Sequence, residues 1–252
     1  LPLYYSHNEL SKKGVTVSII YLIRHAQASF GSPDYDRLSE TGHRQAVVLA
    51  DHLKDRGVQF DAIYSGGQRR HEQTLAAFQA RLSAAGSPCP PVTATPAFNE
   101  YDSETILRTL IPLMISERPE FESDVSQMVQ DKRLFQKVFE QVMLKWVEGE
   151  HPVNGLETWK TYGDRVMTAL ETLMDREGAG KHVAVFTSGG AISVCVQKAL
   201  HLTDALSLNL AWQIMNTSIT RLKYSGGRLM LFGFNDVAHL EAKKEERLLT
   251  YR

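Results

Sequence analysis

Short β-branched runs alternate with amphipathic ones along this chain, and that alternation limits the fold more than any other feature. "VTVSIIYLI" at 15–23 is too short and too rich in Val and Ile to favour a helix, so it reads as a buried strand ending at Arg24. After the turn-rich "GSPDYD", the stretch from Thr41 to Arg56 sets Ala46, Leu49, Ala50 and Leu53 at helical spacing, and Gly57 supplies the stop. "FDAIY" at 60–64 is a second strand, led by Ser65, Gly66 and Gly67 into a helix that carries Leu75, Phe78 and Leu82. "VTATP" at 92–96 is a third. Strands and helices alternating at this interval form right-handed crossover units, which predicts an α/β class with a mainly parallel central sheet and helices on both faces.

The strand signal stops from about Ser103 to Arg176, where "LFQKVFEQVMLKWV" and "WKTYGDRVMTALETLM" have helical periodicity. This segment is expected to be a helical cap inserted into the sheet, with Phe135, Phe139, Trp146 and Trp159 as its core. Strands resume with "HVAVF" at 182–186, followed by a helix through "AISVCVQKAL". "SITRLKY" and "RLMLFGF", separated by "SGG", then read as a C-terminal antiparallel hairpin at the sheet edge. There is no internal repeat and no linker long enough for a second domain, so residues 1–252 are expected to form one domain with a cap over approximately 103–176.

Charge and cysteine content narrow the class. A formal net charge of −1 gives no electrostatic reason to expect nucleic acid or an anionic membrane as partner, so any anion site must be local. Cys89 and Cys195 are the only cysteines, and Cys195 lies in an apolar helical run, which argues against a disulfide and for a reducing compartment. "LPLYYSHNELSKKG" at the start has no basic segment leading into an apolar one, and no window approaches the roughly 18 apolar residues of a membrane span. A cytoplasmic location is expected.

In open α/β sheets ligands sit beyond the carboxyl ends of the strands. The residues there are polar in this chain: Arg24 and His25 after the first strand, Arg70 one loop beyond the second, Asn99 and Glu100 after the third, and Thr187, Ser188, Gly189 and Gly190 after the fourth. Two arginines and a helix N-terminus suit a phosphate group. A neutral imidazole can attack phosphorus if its other nitrogen is held as N–H, a role that fits His25. Glu100 could give a proton to the leaving oxygen and later take one from water. No metal or cofactor is implied, because no His and carboxylate set has ligand spacing on one element.

These residues resemble the histidine phosphatase superfamily, in its phosphoglycerate-mutase-like branch. "LIRHAQAS" at 22–29 matches the Arg-His-Gly motif with Ala26 in place of the glycine, and "LSETGHRQA" at 38–46 is similar to the helix start that follows. "YSGGQRRHEQTL" at 64–75 resembles the segment bearing the second phosphate-binding arginine, which falls on Arg70 when aligned through Thr74 and on Arg69 when counted from Ser65. "FNEYD" at 98–102 places the acid on Glu100, and "NGLETWKTYGDRV" at 154–166 is similar to a cap helix. The resemblance spans roughly residues 17–200. It implies a metal-independent phosphomonoester hydrolase working through a phosphohistidine on His25, with Arg24, Arg70, Ser188, Gly189 and Gln27 as phosphate ligands. The implied partner is a small-molecule phosphomonoester or inorganic phosphate, with no nucleic acid and no membrane, and the terminal hairpin offers an edge for a homodimer.

Two positions depart from the pattern. The resemblance puts a second catalytic histidine at Ser188, where serine supplies only a neutral hydroxyl, and losing one such donor costs on the order of 10²–10³ in rate. Gly31 stands where mutases carry a phosphate-contacting asparagine, which points away from mutase activity. A protein of the same fold that binds phosphate with little or no turnover is therefore the alternative.

Plainer readings stand beside these. Glu100 sits with Asp102 and Glu104 in what could be an exposed acidic cluster; Gly66 and Gly67 serve a turn; Arg69 and His71 are solvated flanks; Gln27 and Ser29 either bind phosphate or satisfy their loop. His239 is expected to be structural, with a return to the pocket as the other option. A serine esterase built from Ser188, Asp236 and His239 lacks the glycine two residues before the nucleophile.

Overall fold

The computed structural model describes residues 17–29, 31–32, 34–149 and 155–251, so the opening stretch 1–14, the first two residues of "VTVSIIYLI", Pro33 of "GSPDYD" and Asn154 of the cap-helix motif lie outside the described residues. Six strands form one sheet in the order β3-β2-β4-β1-β5-β6. β1 (Ser18–Arg24), β2 (Ala62–Ser65), β3 (Val92–Ala94) and β4 (His182–Thr187) are parallel, while β5 (Ile219–Ser225) and β6 (Arg228–Asp236) close one edge as the expected antiparallel hairpin. The α/β class and the mainly parallel sheet are those the sequence predicts.

The central strands are apolar on both faces because both are covered. On one face Ile20, Leu22, Val183 and Val185 join Val166, Leu170 and Leu173 of α6 (Trp159–Glu177) and Ile192 and Val196 of α7 (Gly189–Leu200). On the other, Ile23, Ala184 and Phe186 meet Leu49 and Leu53 of α1 (Glu40–Asp55) and Leu75 and Phe78 of α2 (Arg69–Ala84). Residues alternating along β4 thus go to opposite cores, as a period of two requires. α1 begins where Ser39 accepts the Gly42 N–H at 3.0 Å, a cap of about 1 kcal/mol.

Helices α3 (Ser103–Glu117), α4 (Phe121–Gln127) and α5 (Lys132–Glu148) occupy the segment without strands. Trp146 and Trp159 sit edge to face at 5.4 Å and Trp146 packs on Tyr101 at 4.9 Å, so these aromatics join the helices to the main core next to Glu100. α8 (Asp204–Gln213) leads into residues 216–218, which cross beneath the end of β1: Thr217 N–H is shared between the Arg24 and His25 carbonyls, at 3.1 and 3.3 Å, and Asn216 Nδ2 donates to the His25 carbonyl at 3.0 Å. Thr217 holds φ +57°, an uncommon value for a β-branched residue. The chain's last described turn is ordered against α1. Leu248 is fully buried beside Val48 and Leu240, and Gln45 Nε2 donates to the Leu248 carbonyl and to Thr250 Oγ1 at 2.8 Å each. No helix among the described residues is long and apolar enough to cross a membrane.

Candidate active site

His25 follows β1 at the carboxyl edge of the sheet and is only 5% exposed. Its Nδ1 lies 2.7 Å from the Ala26 carbonyl, and its Nε2 lies 3.2 Å from Arg70 Nε, which can only donate. The two contacts fix the tautomer: Nδ1 carries the proton and Nε2 presents a lone pair. Burial, the Arg70 and Arg24 guanidinium groups and His71 together hold the imidazole well below its ordinary pKa, so it is neutral at neutral pH.

Arg70 lies in the first turn of α2 and is held on three sides. Its Nη1 meets Asp36 Oδ1 at 2.5 Å, its Nη2 meets Gln68 Oε1 at 2.8 Å, and its carbonyl accepts from Thr74 Oγ1 at 2.7 Å. Thr74 Oγ1 in turn accepts the Ala26 N–H at 3.0 Å, tying the helix to the loop after His25. Arg69, the other reading of the motif, points away to Asp34 at 2.7 Å with its side chain 54% exposed. Arg24 donates from Nη1 to the Ile214 carbonyl, while its buried Nε has no hydrogen-bond partner. A Cβ placed on Gly189 would lie 3.8 Å from that Nε, so the orphan donor and the start of α7 face the same space. The first N–H groups of α7 open toward it, as helix geometry dictates.

Glu100 reaches this space from the loop after β3. Its Oε2 accepts the Gly190 N–H at 3.0 Å, its Oε1 accepts the Tyr162 hydroxyl at 2.9 Å, and its own N–H goes to Gln68 Oε1 at 3.0 Å. It is thus a placed carboxyl, distinct from Asp102, which caps α3 through the Thr105 N–H at 3.0 Å. Gln27 lies on the loop after His25 with its Oε1 taken by Ser39 Oγ at 2.8 Å.

His71 is the main difference from the sequence reading. Expected to be a solvated flank, it is fully buried, with Nε2 2.6 Å from Ser188 Oγ and its ring 5.6 Å from that of His25. Burial and Arg70 hold it well below its ordinary pKa, with the Gly66 backbone opposing. Gly66 is needed for this contact, since a Cβ there would fall 2.3 Å from His71 Nδ1; its φ is not in the left-handed region. The signal was present as spacing: 71, 75, 78 and 82 form one helical stripe of buried residues. Asp36 and Gln68, which brace Arg70, had no such signal. His239 lies elsewhere, buried with Nε2 3.1 Å from Thr217 Oγ1 and its ring 5.4 Å from His52, as the structural reading expects. Among the described residues no group of three or more His, Cys, Asp or Glu is placed to hold a metal ion, and Cys89 and Cys195 are both free.

A model of the histidine phosphatase superfamily (branch 1) matches residues 20–133 and 130–237, and the chain belongs to that superfamily. Its fold is shared with phosphoglycerate mutase from Bacillus anthracis str. Sterne, with a TM-score of 0.63, 16% identity, and coverage of 93% of this chain and 100% of that one. Phosphoserine phosphatase from Entamoeba histolytica is similar at a TM-score of 0.60, 20% identity, and coverage of 88% and 99%. Mycobacterial glucosyl-3-phosphoglycerate phosphatase is similar at 0.56, 21% identity, and coverage of 88% and 98%. No curated protein sequence matches the chain.

Proposed function

We propose that this protein hydrolyses small phosphomonoesters through a phosphohistidine on His25, without a metal. The observation that carries the reading is the His25 ring itself: neutral, with Nδ1–H given to a backbone carbonyl and the Nε2 lone pair directed at Arg70. An arriving phosphoryl group takes the Arg70 Nε–H for one of its oxygens and the Nε2 lone pair for phosphorus. Attack forms the N–P bond as the P–O bond to the leaving group breaks, and the leaving oxygen takes a proton from the Glu100 carboxyl. Water then attacks phosphorus, gives its proton to Glu100, and releases phosphate and free His25. Arg24, Arg70, the Ser188 hydroxyl and the Gly189 N–H hold the three equatorial oxygens, and Gln27 braces the loop beside them. The product and smallest ligand is inorganic phosphate; nucleic acid and membranes have no part, and the β6 edge is available for a homodimer.

A second reading has its own observation. Ser188, fully buried, offers a neutral hydroxyl where the family resemblance expects a charged donor, which favours a phosphate-binding protein of low turnover. Phosphate release from an aryl phosphomonoester without added metal separates the two. Activity in the wild type that disappears in His25→Ala, with acid-labile phosphate trapped on His25, is the expected result. Phosphate binding with no release from any ester tried would favour the second reading.

A further inference from the structure

Gln68 sits at the N-cap of α2. Its backbone carbonyl starts the helix by accepting the His71 and Glu72 N–H groups at 2.9 and 3.2 Å, yet its side chain caps nothing. Ser, Thr, Asp or Asn at such a place turns a short side-chain oxygen back onto a helix N–H. The longer glutamine reaches past the helix end instead. Its Oε1 accepts from Arg70 Nη2 at 2.8 Å and from the Glu100 N–H at 3.0 Å. Both neighbours can only donate, so the amide oxygen must be the atom that faces them, and two bonds fill its two lone pairs.

The two bonds lead to different halves of the reaction. Arg70 is the guanidinium beside His25 Nε2, and Glu100 is the carboxyl held at the start of α7. Their other holds are separate: Asp36 bonds to Arg70, while Tyr162 and the Gly190 N–H bond to Glu100. Among the described residues, Gln68 is the side chain that bonds to both. We propose that Gln68 is a positioning residue, whose single amide oxygen sets the spacing between the arginine that holds the phosphoryl group and the carboxyl that protonates the leaving oxygen. Those oxygens are carried by one phosphorus, so clamp and acid serve the same substrate only at a fixed separation. The bond to a charged guanidinium is the stronger of the pair, which makes the braced Arg70 the anchor and the loop of Glu100, 32 residues away, the part that follows. The role rests on the phosphatase reading above; the shared oxygen does not.

The test has two arms. The first needs no turnover: inorganic phosphate affinity is measured by calorimetry in two double-mutant cycles, pairing Gln68→Met with Arg70→Lys and with Glu100→Gln. Each double variant is expected to depart from the product of its single effects by at least about threefold, because residues that share a bonded atom do not act independently. Multiplicative effects in either cycle overturn the coupling. The second arm compares 4-nitrophenyl phosphate, whose leaving group departs as a stable anion, with a simple alkyl phosphate, whose leaving oxygen needs a proton. Gln68→Met should lower kcat/KM by about tenfold on the first and about 10²-fold on the second. Gln68→Glu keeps an acceptor in the same place; its added charge raises KM for both esters, while the ratio between them returns to within about threefold of wild type. An equal loss on the two esters in Gln68→Met, or a Gln68→Glu ratio no better than that of Met, overturns the proposal. Wild-type protein that binds phosphate but releases it from neither ester overturns the phosphatase reading alone, and the binding cycles then decide on Gln68.

Discussion

Arg70 Nε and His25 Nε2 lie 3.2 Å apart, so one of the guanidinium's five donors is pointed at the nitrogen proposed to attack phosphorus. Lysine keeps the charge and loses the planar fork that also serves Asp36 and Gln68. Arg70→Lys is expected to lower kcat/KM for an aryl phosphomonoester by about 10²–10³-fold. A loss below threefold in steady-state kinetics would remove Arg70 from the phosphate clamp.

Gly190 allows Glu100 to reach the helix start. A Cβ there would fall 2.2 Å from Glu100 Oε1, 2.7 Å from Tyr101 Cε1 and 2.8 Å from the Tyr162 oxygen. Gly190→Ala should therefore push the carboxyl out of place, at a cost of about 1–3 kcal/mol in stability and at least about tenfold in kcat. Urea unfolding and kinetics on the same preparation check it, and a variant matching wild type in both would show that the helix start yields freely.

Three buried histidines set the acid side of the stability curve. His25 and His71 are held well below their ordinary pKa and His239 is pushed down to about 4 from 6.5, in each case chiefly by burial. The unfolded chain binds more protons than the folded one below about pH 6.5, so stability is complete above that value and is lost as the pH falls toward 4. The His239 shift alone corresponds to about 3 kcal/mol. Tm measured from pH 7.5 to 4 should fall steadily, with a shallower slope in His239→Gln; a flat curve would mean that these rings titrate normally.

Asn216 bridges His25 and the last described turn: Nδ2 donates to the His25 carbonyl at 3.0 Å and Oδ1 accepts from Thr250 Oγ1 at 2.8 Å. Asn216→Ala leaves a buried carbonyl short of a donor, which should cost about 1–3 kcal/mol in urea unfolding. A change under about 0.5 kcal/mol would show that the Thr217 N–H satisfies that carbonyl alone.

The sheet was legible because its central strands are buried on both faces and largely apolar; β1 and β3 fall within the stretches expected, and β2 and β4 each run one residue further, to Ser65 and Thr187. Most helices were legible from their stripes, and α1 begins one residue from its expected start; α8, which carries no apolar stripe, was not expected. What chain-local reasoning could not see is which side chain meets Ser188 from 117 residues away. Ser188 was expected to offer only a neutral hydroxyl, yet its partner His71, at the head of the stripe through Leu75, Phe78 and Leu82, was taken for a solvated flank because a polar residue in a helix's first turn is ordinarily exposed. Asp36 and Gln68 escaped for the same reason: each brace depends on the path of a loop, and loop paths leave no periodicity to read.

The peptide of His25 is held from beneath by Thr217 and Asn216, and Asn216 is held in turn by Thr250, whose hydroxyl is also shared with Gln45, 205 residues earlier in the chain. Contacts of that separation close late in folding, because the loop entropy is spent before the contact returns anything. During refolding, the helical signal should recover ahead of the proposed phosphate site, and the interval between them measures how long His25 waits for its floor.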